Sequence, residues 1–160
     1  MKDNKYLGYL FEVAWILPSV AIPISTLVAI ILTAFAVGIR VPGVAGRIDP
    51  QAVSQTAPFD EPGVRELAPG RYEVTVVAQV FQFTPNEITV PAGSRVTFEL
   101  TSRDVVHGFK IDDTPINVMV VPGQISKVTT TFYEPGEYLI VCHEYCGAGH
   151  HAMFGKVIVE

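Results

Sequence analysis

The most restrictive feature of this sequence is an uncharged apolar run near its N-terminus, at positions 13–39. The run contains no Asp, Glu, Lys, Arg or His, and a helix needs only about 20 apolar residues to cross a bilayer. It therefore predicts one membrane-spanning helix. The alternative is a cleaved secretory signal, which Lys2, Lys5 and the small-x-small segment beginning at Ala34 would suit. A signal core of roughly 7 to 15 residues is shorter than this run, which favours the membrane helix.

The membrane segment explains the hydrophobic composition and leaves room for one further domain. The chain has 160 residues and is 49% hydrophobic, and the part of the chain after the apolar run has the size of one compact domain. Positions 1–12 are predicted to be an N-terminal tail, and positions 40–70, rich in proline and glycine, a linker. Positions 71–160 are predicted to form the domain. These lengths exclude a multidomain enzyme, a polytopic transporter and a disordered tail protein.

Positions 71–160 show the pattern of an antiparallel β sandwich or barrel. Short segments rich in Val, Thr, Phe and Tyr are separated by turn signals such as Pro91 and Gly93. Within 94–102, apolar residues alternate with polar ones, which is typical of a strand with one buried face. The predicted fold class is therefore mainly β, preceded by one N-terminal transmembrane helix. The predicted strand segments are 72–83, 87–90, 94–102, 105–111, 116–121, 125–133, 137–142 and 156–159.

The charge of the chain disfavours nucleic acid as a partner. The formal net charge is -5 with histidine neutral, and the sequence has no basic run. An acidic surface suits a basic partner, or serves solubility alone. Lys2 and Lys5 precede the apolar run while Arg40 and Arg47 follow it, so the positive-inside rule leaves the orientation open.

The strongest chemical signal lies in one loop near the C-terminus, at positions 142–154. The loop holds both cysteines of the chain, three of its four histidines and one methionine. Cys142 and Cys146 are four positions apart, and His150 and Met153 follow within the next seven positions. Thiolate, imidazole and thioether groups are soft or borderline donors, and their concentration here predicts a metal site.

Several kinds of site compete for this loop. Two cysteines outside a membrane commonly form a disulfide. Zinc also takes Cys and His, but thioether is not a usual zinc ligand and Met153 would be idle. A thiol redox protein would need a CxxC motif in a βαβ context, and the sequence has none. Copper uses every donor if His107, the histidine outside the loop, completes the site on a β sandwich. A second thiolate would let two coppers share both sulfurs, which favours one-electron transfer.

The loop CHEYCGAGHHAMFG, the upstream His107 and the single membrane segment resemble subunit II of cytochrome c oxidase. The pattern CxExCGxGHxxM is that family's dinuclear CuA motif, and all of its ligand positions are filled. The short chain with one membrane helix and the segment FTPNEITVPAG are most similar to the B-type haem-copper oxidases. The resemblance implies a cupredoxin-like fold for positions 71–160.

The resemblance also implies a ligand set for two coppers. Cys142 and Cys146 would bridge both ions, and His107 and Met153 would complete the coordination of one of them.

The second copper would be completed by His150 and by the backbone carbonyl of Glu144. The side chain of Glu144 is in addition a candidate ligand for a magnesium ion. His143 and His151 match no ligand position in the family and are expected near the site or on the surface.

The resemblance implies the electron-entry subunit of a terminal haem-copper oxidase in the cell membrane, crossing once, with the copper domain on the periplasmic or extracellular side. Single electrons would come from cytochrome c or a similar carrier and pass to haem in subunit I, where oxygen is reduced and protons are pumped. Subunit I, the donor and membrane lipid are the expected partners, and the chain is an enzyme only as part of that complex. The alternatives are the CuA subunit of a haem-copper nitric oxide reductase, and a membrane-tethered copper carrier or assembly protein.

A further prediction concerns an apolar patch over the metals. Gly147, Ala148, Gly149 and Phe154 from the loop, with Phe81 from a neighbouring strand, could form a surface for close approach of the donor. The alternative for the two phenylalanines is to fill the core.

Overall fold

The computed structural model describes residues 3–37, 43 and 45–160. Its contacts divide the chain into two compact units, Met1–Ile39 and Arg40–Glu160. Of the predicted segments, positions 1 and 2 of the tail, 38 and 39 of the membrane run, and 40–42 and 44 of the linker lie outside the described residues.

The described part of the first unit is one long helix, α1 (Asp3–Val37). Its stretch Asn4–Ala36 is long and apolar enough to cross a membrane, which confirms the predicted transmembrane helix. The helix begins well before the apolar run, so most of the predicted tail is helical. With 35 residues and a rise of 1.5 Å per residue, α1 is about 52 Å long, which exceeds the roughly 30 Å hydrocarbon core.

The second unit is built from eleven described strands and two short 3-10 helices. The 3-10 helices are Pro50–Gln55 and His150–Ala152. The strands are β1 (Gly46–Arg47), β2 (Gly63–Ala68), β3 (Arg71–Gln79), β4 (Gln82–Thr84), β5 (Glu87–Val90), β6 (Arg95–Ser102), β7 (His107–Ile111), β8 (Asn117–Val120), β9 (Gln124–Thr131), β10 (Gly136–Val141) and β11 (Phe154–Val159).

The strands form two sheets that enclose one apolar core. The first sheet has the order β1-β9-β6-β3-β2, with β4 paired to β3, and the second has the order β5-β11-β10-β7-β8. Most pairs are antiparallel, but β3 pairs with β6, and β5 with β11, in parallel. This architecture confirms the predicted mainly β fold. The two parallel pairs join strands that are distant in the sequence, and no local turn signal could indicate them.

The core between the sheets is filled by side chains that alternate along the strands. In β6, Val96, Phe98 and Leu100 are buried while Glu99 between them is only partly covered. The ring centroid of Phe109 lies 5.4 Å from that of Phe83 and 5.6 Å from that of Phe98. Both cysteines and Met153 belong to the same buried cluster, so the predicted metal donors lie at an edge of the apolar core.

The stretch predicted to be a linker contains several of these elements. It includes β1, the first 3-10 helix and β2, and β2 pairs with β3. Ile48, Val53 and Phe59 are buried against Val77 of β3 in a second, smaller cluster. The Pro- and Gly-rich sequence of 46–62 therefore packs on the first sheet instead of running free.

The predicted strand 72–83 is divided in two by a tight turn at Val80 and Phe81, between β3 and β4. No glycine or proline marks this turn in the sequence. Its position next to the C-terminal loop makes it relevant to the site.

Candidate metal centre

Two of the predicted donors are held by neighbouring strands of the second sheet. His107 is the first residue of β7, and Cys142 directly follows the last residue of β10. These strands pair antiparallel, with Val141 opposite Lys110. The register brings the Sγ of Cys142 to 3.9 Å from the Nδ1 of His107.

The remaining donors lie in the loop between β10 and β11, whose two ends are tied together. The amide of Cys142 donates to the carbonyl of Met153 at 3.2 Å. Within the loop, the amide of His150 donates to the carbonyl of Gly147 at 3.0 Å, and Gly147 has a φ of 130°. A glycine is favoured there because other residues rarely adopt that conformation.

The folded loop turns its sulfur and nitrogen atoms toward each other. The Sγ of Cys146 lies 3.9 Å from the Sγ of Cys142, 3.6 Å from the Nδ1 of His150 and 3.7 Å from the Sδ of Met153. The thiol of Cys142 donates to the carbonyl oxygen of Glu144 at 3.2 Å. With His107, the structure thus brings together one atom from each of the six predicted ligand residues.

Four of these donor residues are shielded from solvent, whereas Glu144 and His150 are half-buried. His107 is 0% exposed, Met153 2%, and each cysteine 7%. Both cysteines are free thiols. Burial and the neighbouring Cys142 raise the pKa of the Cys146 thiol to about 11. A bound metal cation would offset this effect on Cys146, because it binds the thiolate form and displaces the thiol proton.

The arrangement fits a metal ion with a preference for soft ligands. The side-chain donor atoms of His107, Cys142 and Cys146 all lie within 4.8 Å of one another. Thiolate, imidazole and thioether together suit copper, whereas the thioether adds nothing to a zinc site. The donors therefore fit copper.

A carboxylate fixes the orientation of His107. The Oδ1 of Asp104 is 2.8 Å from the Nε2 of His107 and accepts a hydrogen bond from the amide of Val105 at 2.6 Å, while its Oδ2 accepts one from the amide of Val80 at 2.7 Å. Burial opposes ionisation of Asp104, but the bonds from His107 and the two amides outweigh it and lower the pKa of this carboxyl. With Nε2 engaged by Asp104, Nδ1 of His107 is left to face the sulfurs.

The turn between β3 and β4 supports the loop from outside. The ring of Phe81 packs on Gly147 and Gly149, where a β-carbon on residue 149 would lie 2.5 Å from Cδ2 of that ring. Phe81 is 39% exposed and Phe154 is 60% exposed. Neither phenylalanine fills the core, and their proposed part in donor approach stays a prediction.

The two histidines without a predicted ligand role are placed differently. The ring of His143 covers Gly108 of β7, so that a β-carbon there would lie 2.5 Å from its Cδ2 atom. His151 instead lines an open cleft of about 420 Å³. The cleft is formed by Leu139, Val141, Cys142, His150, His151, Met153 and Phe154.

Comparisons with known proteins identify the family of this chain. The family described as "Cupredoxin-like domain" matches residues 52–159. Cytochrome c oxidase subunit 2 of Thermus thermophilus is 41% identical over 154 residues, which cover 94% of this chain and 92% of that protein. A second cytochrome c oxidase subunit 2 from the same species is 45% identical over 125 residues, covering 77% of this chain and 93% of the relative.

The chain belongs to the cytochrome c oxidase subunit 2 family. Among solved structures, a heme-copper terminal oxidase dimer determined by cryo-EM contains a chain that is 34% identical, with a TM-score of 0.70. The similarity covers 93% of this chain and 99% of that one. A member of this family is a subunit of an oxidoreductase complex, and its cupredoxin domain implies copper binding. With α1, it is a single-pass membrane protein.

One support of the site and one contact beside it were not predicted from the sequence. Asp104 was not singled out, although its position three residues before His107 was a usable signal, since a ligand histidine commonly has an acidic partner for its second nitrogen. The contact of His143 with Gly108 had no sequence signal, because it depends on the pairing of β7 with β10.

Proposed function

We propose that this chain is the electron-entry subunit of a haem-copper oxidase and holds a dinuclear copper centre at the donors described above. The observation that carries the proposal is the convergence of two thiols, two imidazoles, a thioether and a carbonyl at separations of 3.2 to 3.9 Å. A copper pair bridged by two thiolates supplies one-electron chemistry with little nuclear rearrangement. The catalytic site for oxygen lies in another subunit.

Each donor has a proposed place in the centre. Cys142 and Cys146 bridge both ions, and their positions at the middle of the donor group support this. His107 and Met153 bind one ion, while His150 and the carbonyl of Glu144 bind the other. A magnesium ion at the carboxylate of Glu144 is a separate proposal.

The surrounding residues keep the centre rigid. Asp104 holds His107 in one orientation, and the ring of Phe81 packs on Gly147 and Gly149 of the loop. Rigid ligands reduce the rearrangement that accompanies a change of oxidation state, which suits rapid electron transfer. The burial of four of the six donor residues also favours a retained copper centre over an exchangeable copper carrier.

The proposed partners follow from the family. Subunit I accepts the electron at its haem and carries out oxygen reduction and proton pumping, and cytochrome c or a similar small carrier supplies the electron. The copper domain lies on the periplasmic or extracellular side of the membrane. Lipid surrounds α1, whose described side chains are largely exposed and apolar.

Metal analysis combined with EPR on the full chain in detergent tests the proposal. We expect two coppers per chain, a purple oxidised form and one unpaired electron shared between two copper nuclei. The spectrum of a single copper, or zinc in place of copper, would overturn the dinuclear assignment. Reduction of the centre by cytochrome c within the purified complex then tests the electron-entry role, and oxygen or nitric oxide consumption distinguishes oxidase from nitric oxide reductase.

A further inference from the structure

An open cleft beside the loop gives incoming copper a route to the buried donors. The open cleft beside the loop is lined by Cys142, Met153 and His150, whereas the side chain of His107 is fully enclosed. An incoming ion that enters the cleft therefore meets a thiol and a thioether of the site directly.

One further metal-binding side chain lines the same cleft. His151 is exposed and follows His150 in the short 3-10 helix His150–Ala152. It has no place in the proposed ligand set, yet an imidazole is a good copper ligand. His143 also lacks a place in that set, but its ring packs on Gly108 and is not part of the cleft.

We propose that His151 is a capture ligand, which binds incoming copper at the cleft and hands it to Cys142 and Met153. The imidazole forms the first bond to copper at the surface. Ligand exchange then breaks that bond as copper binds Cys142 and Met153, the thiol proton of Cys142 passes to solvent, and the oxidation state of copper does not change. The proposal rests on the dinuclear copper function proposed above. It assigns to this exposed residue a role in assembly of the centre and none in its finished form.

The test compares rates of copper uptake by the full chain in detergent, with thiols reduced and oxygen removed. Cu(I) is supplied as its acetonitrile complex at limiting concentration, and stopped-flow absorbance of the thiolate-copper bond in the near ultraviolet follows binding. His151→Gln should load about tenfold more slowly, the factor produced by losing a contact of about 1.4 kcal/mol. His143→Gln is the matched control and should load at the rate of the unmodified chain.

A third variant separates ligand chemistry from shape. His151→Met replaces the imidazole by another soft copper donor and should restore fast uptake. All three variants should reach the same copper content and the same final spectrum after oxidation. The proposal is overturned if His151→Gln loads at the unmodified rate, if His143→Gln slows uptake equally, or if His151→Met stays slow.

The result is separable from that of the proposed function. A changed final spectrum in His151→Gln would also overturn the capture role, because it would make His151 part of the finished site. If the unmodified chain bound no copper pair, the proposed function itself would fail. A normal copper pair with unaltered uptake rates in every variant would reject only the capture role.

Discussion

The proposed metal centre joins two regions that hold their donors by different means. His107 and Cys142 are fixed by β7 and β10, whose pairing register determines their separation. Cys146, His150 and Met153 are fixed by turns inside one loop. The strand-held donors depend on residues far apart in the sequence, and the loop-held donors depend mainly on their immediate neighbours.

This difference indicates which changes each half of the site can tolerate. A strand-held donor moves only if the sheet moves, and its fine orientation is set by a side chain such as Asp104. A loop-held donor moves whenever the loop is repacked, and the loop is packed by Phe81 against Gly147 and Gly149. Perturbing each half separately tests whether the two are independent.

The largest effect is expected from removing one thiolate from either half. Cys146→Ser in the loop and Cys142→Ser at the strand end should each abolish the electron-sharing EPR signal, because both sulfurs are needed to bridge two coppers. Ala148→Ser, an exposed position in the same loop, should leave the signal intact. A normal signal in the Cys146 variant would show that this residue is not a bridge.

An added β-carbon in the loop should lower the free energy of unfolding more than an added β-carbon in the strand. In Gly149→Ala the new β-carbon meets the inner ring atoms of Phe81 at 2.5 Å, and such overpacking costs about 1–3 kcal/mol. In Gly108→Ala it meets the exposed ring of His143, which can swing away, so the cost should stay below about 1 kcal/mol. Denaturant unfolding measures both values. Equal losses of unfolding free energy in the two variants would contradict the division into a loop-held and a strand-held half.

Replacing the thioether tests the loop half without disturbing its fold. Met153→Leu preserves volume within the buried cluster and should keep both coppers bound, since a weak axial ligand mainly tunes the potential. We expect the reduction potential to rise by about 59 mV, which corresponds to a tenfold change in a one-electron equilibrium constant. Loss of copper from this variant in metal analysis would indicate that Met153 is a principal ligand.

The smallest effect is expected from the positioning of His107. Asp104→Asn keeps a hydrogen-bond partner for Nε2 but removes a negative charge. This should raise the reduction potential by roughly 30 mV, which corresponds to a change of about threefold in the one-electron equilibrium constant. Asp112→Asn removes the same charge beyond the other end of β7, where Asp112 pairs with Lys110. Asp112→Asn should leave the reduction potential unchanged. An equal shift of the potential in both variants would show that the net charge of the domain, and not the positioning of His107, causes the effect.

The loop-held donors were easier to predict from the sequence than the strand-held donors. The loop-held donors are contiguous, so their spacing was informative in itself. His107 was included because it was the histidine available outside the loop, and its closeness to Cys142 depends on strand pairing that no local pattern encodes. The assignment of all six residues as copper ligands stays a prediction that metal analysis must test.

The fold shows the same division between local and distant information. The alternation in 94–102 predicted β6 because it reflects one buried face. The elements within 46–62 were expected as linker, since their Pro- and Gly-rich sequence lacks periodicity and their order comes from packing on Val77. The turn at Phe81 was missed for a similar reason, because its conformation depends on contacts with Asp104 and the loop.

The tie between the ends of the loop has a consequence for how such sites can evolve. The bond from the amide of Cys142 to the carbonyl of Met153 is followed at once by the pairing of Val141 with Phe154. Insertions or replacements between these ends need not shift the register of either sheet, because loop closure costs little for each added residue. The metal chemistry of this scaffold can thus be rewritten by exchanging one short stretch of chain, while the architecture around it is inherited unchanged.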